Sequence, residues 1–196
     1  MKSLKVYYKK DKAGIRKRLD EFSRNKDYFY ELCFCILTPQ SNAKKCYEAV
    51  KILKQKDFLN NNFNIKSILK TRTRFYNNKA KYLLEFKEKY ITIKKNLKEN
   101  PKETREFLVK NVKGIGYKES SHYLRNIGYR NLAILDRHIL KNLKNLKVIK
   151  EIPKPLTKAK YYGIESKFKD FSKKIKIPMD ELDLLFWSME TGGVFR

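Results

Sequence analysis

A lysine and an aspartate mark the stretch of this chain best equipped for chemistry: Lys118 and Asp136, within VKGIGYKESSHYLRNIGYRNLAILD (112–136). A free lysine has a pKa near 10.4, so at neutral pH only about one molecule in 2,500 holds the unprotonated, nucleophilic amine. Two features around Lys118 act to lower that value. A helix begins just before it and presents a positive dipole end, and Lys113 and neighbouring bases add like charge. Asp136 closes the apolar run NLAIL where the N-cap of DRHILKNLKNL belongs. A carboxylate held by a helix N-terminus stays ionised and can stabilise positive charge developing on a sugar. Each residue also has an ordinary reading: Lys118 as one surface lysine among many, Asp136 as a cap and no more.

The elements that must position this pair are short and helical. KETREFLVKN reads as a first helix and YKESSHYLRNIG as a second, with KGIG between them. Gly114 and Gly116 permit a tight turn that bares backbone N–H groups at the second helix's N-terminus. With Lys113 these make a phosphate clamp, the pattern of a helix-hairpin-helix gripping a DNA backbone. A lone Gly-x-Gly is weak evidence, since any helix–helix turn can use glycine. The frame of apolar residues and two glycines between amphipathic helices, in a strongly basic chain, is stronger.

The rest of the chain also shows three- and four-residue apolar spacing, broken by Gly, Pro and Asn. Residues 12–23 form an amphipathic helix with Ile15, Leu19 and Phe22 on one face. Asp27 can cap DYFYELCFCILT, a helix apolar nearly all round and so central to a core. It breaks at TPQSN (38–42), where Ser41 or Asn42 can cap the next helix. That loop is an ordinary turn unless its tip points at DNA, in which case Gln40 or Asn42 can fill the gap left by a displaced base. In TRTRFYNNK, Arg72, Arg74, Phe75 and Tyr76 either hold a phosphate and stack a base or form a solvated turn with two core aromatics. Pro101 suits a helical first turn. Thr157 and Pro178–Asp180 start the last two helices. Trp187 reads first as core, although a planar indole beside a cleft can also stack on a base.

Composition sets the class of partner. The 196 residues suffice for one large domain or two small lobes, and 41% are apolar, which excludes a disordered tail. Lys and Arg number 47 against 21 Asp and Glu, a net charge of +26. Part of that excess is compositional bias, but a polyanion remains the leading partner. No run approaches the roughly 20 apolar residues of a membrane span. The basic N-terminus lacks an apolar signal core. Cys33, Cys35 and Cys46 match neither a CxxC nor an iron–sulfur pattern and read as small buried hydrophobes in a reducing compartment. With His122 and His138 the only histidines, no metal or other cofactor is expected.

KGIGYKESSHYLRNIG followed by LAILDRHIL closely resembles the helix-hairpin-helix superfamily of DNA repair glycosylases, and within it the second family of 8-oxoguanine DNA glycosylase/AP lyases of archaea and some bacteria. ELCFCILT, RFYNNKAKYL, REFLVKN and ELDLLFWSMETG extend the resemblance over nearly the whole chain, most densely over 105–140. It implies an all-α fold of two helical lobes with a DNA-binding cleft between them, in a single domain spanning 1–196. One lobe covers about 28–133 and contains the hairpin (102–127); the other comprises about 1–27 with 134–196. It implies Lys118 as nucleophile and Asp136 as catalytic aspartate. His122, Trp187, Phe75 and the chain's last residue, Arg196, fall at base-pocket positions, and the relatives carry lysine at that terminus. Gln40, Ser41 and Asn42 match the loop that enters the duplex opposite the lesion, and Arg74, Lys113, Gly114 and Gly116 are expected on the DNA backbone. Two departures stand out: LAIL replaces the Gly/Pro-rich residues common before the aspartate, and TPQSN resembles pyrimidine-specific relatives more than this subfamily's TAN-type loop.

The implied activity is base-excision repair. The enzyme extrudes 8-oxoguanine from double-stranded DNA, Lys118 attacks C1′, and β-elimination then cleaves the abasic site. Same-scaffold glycosylases for oxidised pyrimidines or alkylated bases are one alternative, and a non-catalytic helix-hairpin-helix DNA-binding module is another. The expected setting is a monomer in a prokaryotic cytoplasm, associated with the nucleoid and with no membrane partner.

Overall fold

The computed structural model describes residues 2–193. Within them the chain is helical, with no strand. In order the helices are α1 (Lys2–Arg24), α2 (Tyr28–Leu37), α3 (Ala43–Gln55), α4 (Lys66–Lys70), α5 (Tyr76–Lys95), α6 (Pro101–Asn111), α7 (Tyr117–Asn126), α8 (Arg137–Asn145), α9 (Lys158–Ile175) and α10 (Met179–Thr191). None among the described residues is long and apolar enough to cross a membrane. The chain divides into two compact units, Lys26–Tyr123 and Met1–Asn25 with Leu124–Arg196, and the division falls inside α7.

The unit Lys26–Tyr123 is built around α2. Asp27 caps it, accepting from the Tyr30 amide at 3.4 Å, and every residue from Phe29 to Leu37 is buried. Thr38 at the C-cap keeps helical backbone (φ −73°, ψ −26°), and Pro39, which has no N–H to continue the ladder, ends the helix. Helices α3 and α5 pack on α2, and α4 packs on both α3 and α5. Phe29 anchors an aromatic cluster, stacked on Phe86 at 5.1 Å and edge-on to Tyr30 and Tyr90 at 5.0 Å each. Truncating such a buried ring costs about 3–5 kcal/mol. Cys33, Cys35 and Cys46 are buried free thiols here, as their apolar surroundings suggested. Burial raises the pKa of Cys33 and Cys46.

In the other unit α10 packs on α1, α8 and α9. Ile15, Leu19 and Phe22 are buried as the periodicity predicts, but α1 begins ahead of residue 12, at Lys2. The upstream turns are mostly charged or exposed, so apolar spacing does not reveal them; among the residues there whose side chains are described, only Leu4 is buried. Helix α7 ends at Asn126, and in the turn after it Gly128 has φ +101° and a 3.1 Å approach of an added Cβ to the Ser23 Cα, both of which demand glycine.

Candidate active site

Lys118 stands at the second position of α7, in the unit Lys26–Tyr123. Its helix begins with half a capping box: Glu119 reaches back, and its Oε2 accepts from the Gly116 amide at 3.2 Å. The other oxygen, Oε1, lies 3.4 Å from Lys118 Nζ, and the lysine side chain is 28% exposed. Helix α6 is stapled to this start. Arg105, fully buried, donates from Nη1 to Ser121 Oγ at 3.1 Å and lies over the Tyr117 ring at 5.7 Å. Tyr117 in turn donates its hydroxyl to Glu106 Oε2 at 3.0 Å.

The turn between the helices needs its first glycine. Gly114 has φ +85°, and a Cβ there would sit 2.4 Å from Tyr82 Cδ2. Gly116 is less constrained, with only Glu119 Oε2 at 3.6 Å from a Cβ. Two parts of the phosphate clamp differ from the sequence-based picture. The Gly116 amide is taken by Glu119, and Lys113 Nζ pairs with Glu85 Oε2 at 3.0 Å.

His122 falls one turn after Lys118, on the same helical face. It is buried, with its ring edge-on to Phe34 of α2 at 5.8 Å. Beyond α3's N-cap, the loop 38–42 meets the turn 71–75. Arg74's amide donates to Ser41 Oγ at 2.9 Å, and Ser41 Oγ lies 3.0 Å from Thr73 Oγ1. Asn42 is committed to capping α3, accepting from the Lys45 amide at 3.1 Å. Gln40, exposed, has a left-handed φ of 54°. Phe75, also left-handed at 56°, is 54% exposed, with the Arg74 guanidinium 5.4 Å from its ring centre. Phe75 is therefore not a core aromatic.

Asp136 belongs to the unit Met1–Asn25 with Leu124–Arg196. The connection that delivers it is buried from Leu132 to Leu135 and clamped to α9. Ala133 donates its amide to Glu165 Oε1 at 2.8 Å and accepts at its carbonyl from the Tyr161 hydroxyl at 2.6 Å. Asp136 then caps α8: Oδ1 accepts from both the His138 and Ile139 amides at 2.8 Å. On α10, Asp183 pairs with Arg125 of α7 in the interior. Burial pushes the Asp183 carboxyl up to about 7 against the opposing pull of Arg125, and the Asp136 and Asp180 carboxylates raise it further. Trp187, partly buried, follows Asp183 by one helical turn. Arg196 lies outside the described residues, and among those residues no cluster of three or more His, Cys, Asp or Glu could hold a metal ion.

Lys79, like Arg105, is a buried charged residue that escaped the sequence reading. Lys79 of α5 is 4% exposed and donates from Nζ to the carbonyls of Leu37 and Pro39 (both 2.7 Å), to Thr73 Oγ1 at 2.8 Å and to Ser41 Oγ at 3.0 Å. Burial lowers its pKa to about 8, opposed by Cys46 and Glu119, with Arg74 lowering it further. The available signal was positional: Lys79 shares a helical stripe with Leu83 and Phe86, both buried.

Two helices joined by the Gly114–Gly116 turn, the second started by Glu119 on the Gly116 amide, make this a helix-hairpin-helix protein. A family profile described as 8-oxoguanine DNA glycosylase matches residues 15–177. A relative from Fusobacterium nucleatum named 8-oxoguanine DNA glycosylase/AP lyase is 46% identical, over 96% of this chain and 94% of its own. One from Methanocaldococcus jannaschii with the same name is 40% identical, over 93% of this chain and 91% of its own. The crystal structure of the M. jannaschii 8-oxoguanine glycosylase/lyase in complex with a 15mer DNA containing 8-oxoguanine superimposes with a TM-score of 0.87, at 38% identity and full coverage of both chains. The 8-oxoguanine DNA glycosylase of Thermotoga maritima superimposes at 0.90, with 32% identity, covering 100% of this chain and 97% of its own. This chain belongs to the helix-hairpin-helix 8-oxoguanine DNA glycosylase family.

Proposed function

We propose that this protein removes 8-oxoguanine from double-stranded DNA and then cleaves the abasic site. The observation that carries the reading is Lys118 at the capped start of the hairpin's second helix, in a chain 46% identical to a glycosylase/AP lyase. The damaged nucleotide leaves the stack, which the enzyme must achieve before any atom of the sugar is reachable. The neutral Lys118 amine forms a bond to C1′ as the glycosidic bond breaks. The bonding pair departs with the base, which takes up a proton. Asp136 stabilises the oxocarbenium character of that transition state. Ring opening gives a Schiff base between Nζ and C1′. The iminium acidifies the 2′ hydrogen, whose loss as a proton expels the 3′ phosphate and nicks the strand.

The remaining residues take supporting parts in this proposal. His122, Trp187, Phe75 and Arg196 are assigned to recognition of the damaged base. Gln40, Ser41 and Asn42 meet the strand opposite the lesion. Arg74, Lys113, Gly114 and Gly116 meet phosphates, Lys113 by exchanging Glu85 for DNA. The enzyme works as a single two-lobed domain and as a monomer, at the nucleoid in a prokaryotic cytoplasm. The charge of +26 supports the polyanionic partner. The test is a lesion panel in duplex oligonucleotides. Excision and 3′ nicking should be fastest at 8-oxoguanine, and faster release of an oxidised pyrimidine or alkylated base would overturn the substrate assignment.

A further inference from the structure

We infer that Lys79 is a positioning residue whose buried ammonium ties the 38–42 loop to the 71–75 turn, holding Gln40 and Phe75 out as a preset pair of DNA-contacting prongs, Gln40 toward the opposite strand and Phe75 toward the extruded base. The inference rests on the reading above that these two segments face DNA. Gln40 and Phe75 are both non-glycine residues in left-handed backbone, at φ 54° and 56°, and both are exposed. Such residues persist only where the surroundings over-determine them, and they concentrate where a protein must engage a ligand in a fixed shape. Here the surroundings converge on one atom. Lys79 Nζ bonds the carbonyls of Leu37 and Pro39, the latter immediately before Gln40. It also bonds Thr73 Oγ1, two residues before Phe75.

Side chains close the knot between the two segments. Ser41 Oγ lies 3.0 Å from both Lys79 Nζ and Thr73 Oγ1 and accepts from the Arg74 amide at 2.9 Å. Thr73 Oγ1 also lies 2.8 Å from the Leu37 carbonyl. A cation suits this place, because Leu37 ends α2 and its carbonyl belongs to the negative end of the helix. No neutral side chain brings three donors on a flexible stem to four acceptors on two segments. The knot thus sets the spacing of Gln40 and Phe75 before DNA arrives, and strand opening need not order them.

Lys79→Met and Thr73→Val are compared with wild type on two substrates. One is 8-oxoguanine paired with cytosine in a duplex, read as single-turnover excision. The other is a single-stranded oligonucleotide with a preformed abasic site, read as borohydride trapping, which needs no extrusion. Misplaced prongs should slow duplex excision by roughly 10- to 100-fold while trapping on the single strand stays within about twofold. Equal losses on both substrates would make Lys79 a general stability residue and overturn the inference. Thr73→Val carries the test alone if Lys79→Met does not fold. Gln40→Ala and Phe75→Ala are run alongside. If they slow duplex excision and the knot variants do not, the inference fails by itself. If neither prong variant has an effect, the DNA-facing reading of these loops fails, and the inference with it.

Discussion

At Asp136 a structural task and a chemical one fall to the same carboxylate. Both capping amides go to Oδ1 at 2.8 Å, so Oδ2 is the oxygen the cap does not use. Asparagine is as good an N-cap as aspartate. Asp136→Asn should therefore keep its unfolding free energy within about 0.5 kcal/mol of wild type. Its single-turnover base release should fall by roughly 10²- to 10³-fold with DNA affinity largely retained. A collapse of binding would make Asp136 mainly a cap. Residues of this kind were legible in the sequence because capping is local. Asp27, Asn42, Asp136 and Thr157 each bond an amide two or three residues ahead. Lys79 and Arg105 were not, since their partners at Leu37 and Ser121 come from distant parts of the chain. Phe75 was left open between core and surface, and its left-handed φ, which aims it outward, has no sequence signature.

Among the elements, α7 and α10 carry charges that most helices keep at the surface. Arg125 and Asp183 face each other in the interior, and removing either partner leaves the other buried and uncompensated. The sign of the resulting pH dependence follows from the raised Asp183 pKa. The native state binds this proton more tightly than the unfolded chain, so between pH 3.8 and about 7 it holds more protons. The stability it contributes is full below the unfolded value and is lost as pH rises through about 7. Urea unfolding should show wild type losing its advantage over Asp183→Asn across that window, and curves parallel in pH would contradict the assignment. The hairpin was readable as an element because its glycines and flanking helices are contiguous. Its clamp was only half readable: Glu119 was in plain view, but its reach to the Gly116 amide, and that of Lys113 to Glu85, depends on folded geometry.

For the whole molecule, a net charge of +26 makes DNA affinity a matter of counterion release. The logarithm of the association constant should fall linearly with the logarithm of salt concentration. Lys113→Gln should reduce the steepness by about one if that side chain exchanges Glu85 for a phosphate. An unchanged slope would leave Lys113 as a partner of Glu85 alone. The all-helical architecture was legible from apolar periodicity, because each helix writes its own stripe. The ordering of α1's first turns was not, because they bury little. The central claim is that the Lys118 amine forms the bond to the sugar. It is tested most directly by borohydride reduction during turnover of an 8-oxoguanine duplex, followed by mapping of the DNA-linked peptide. Wild type should give a covalent adduct at Lys118, and Lys118→Gln should give none. An adduct formed undiminished by Lys118→Gln would contradict the account.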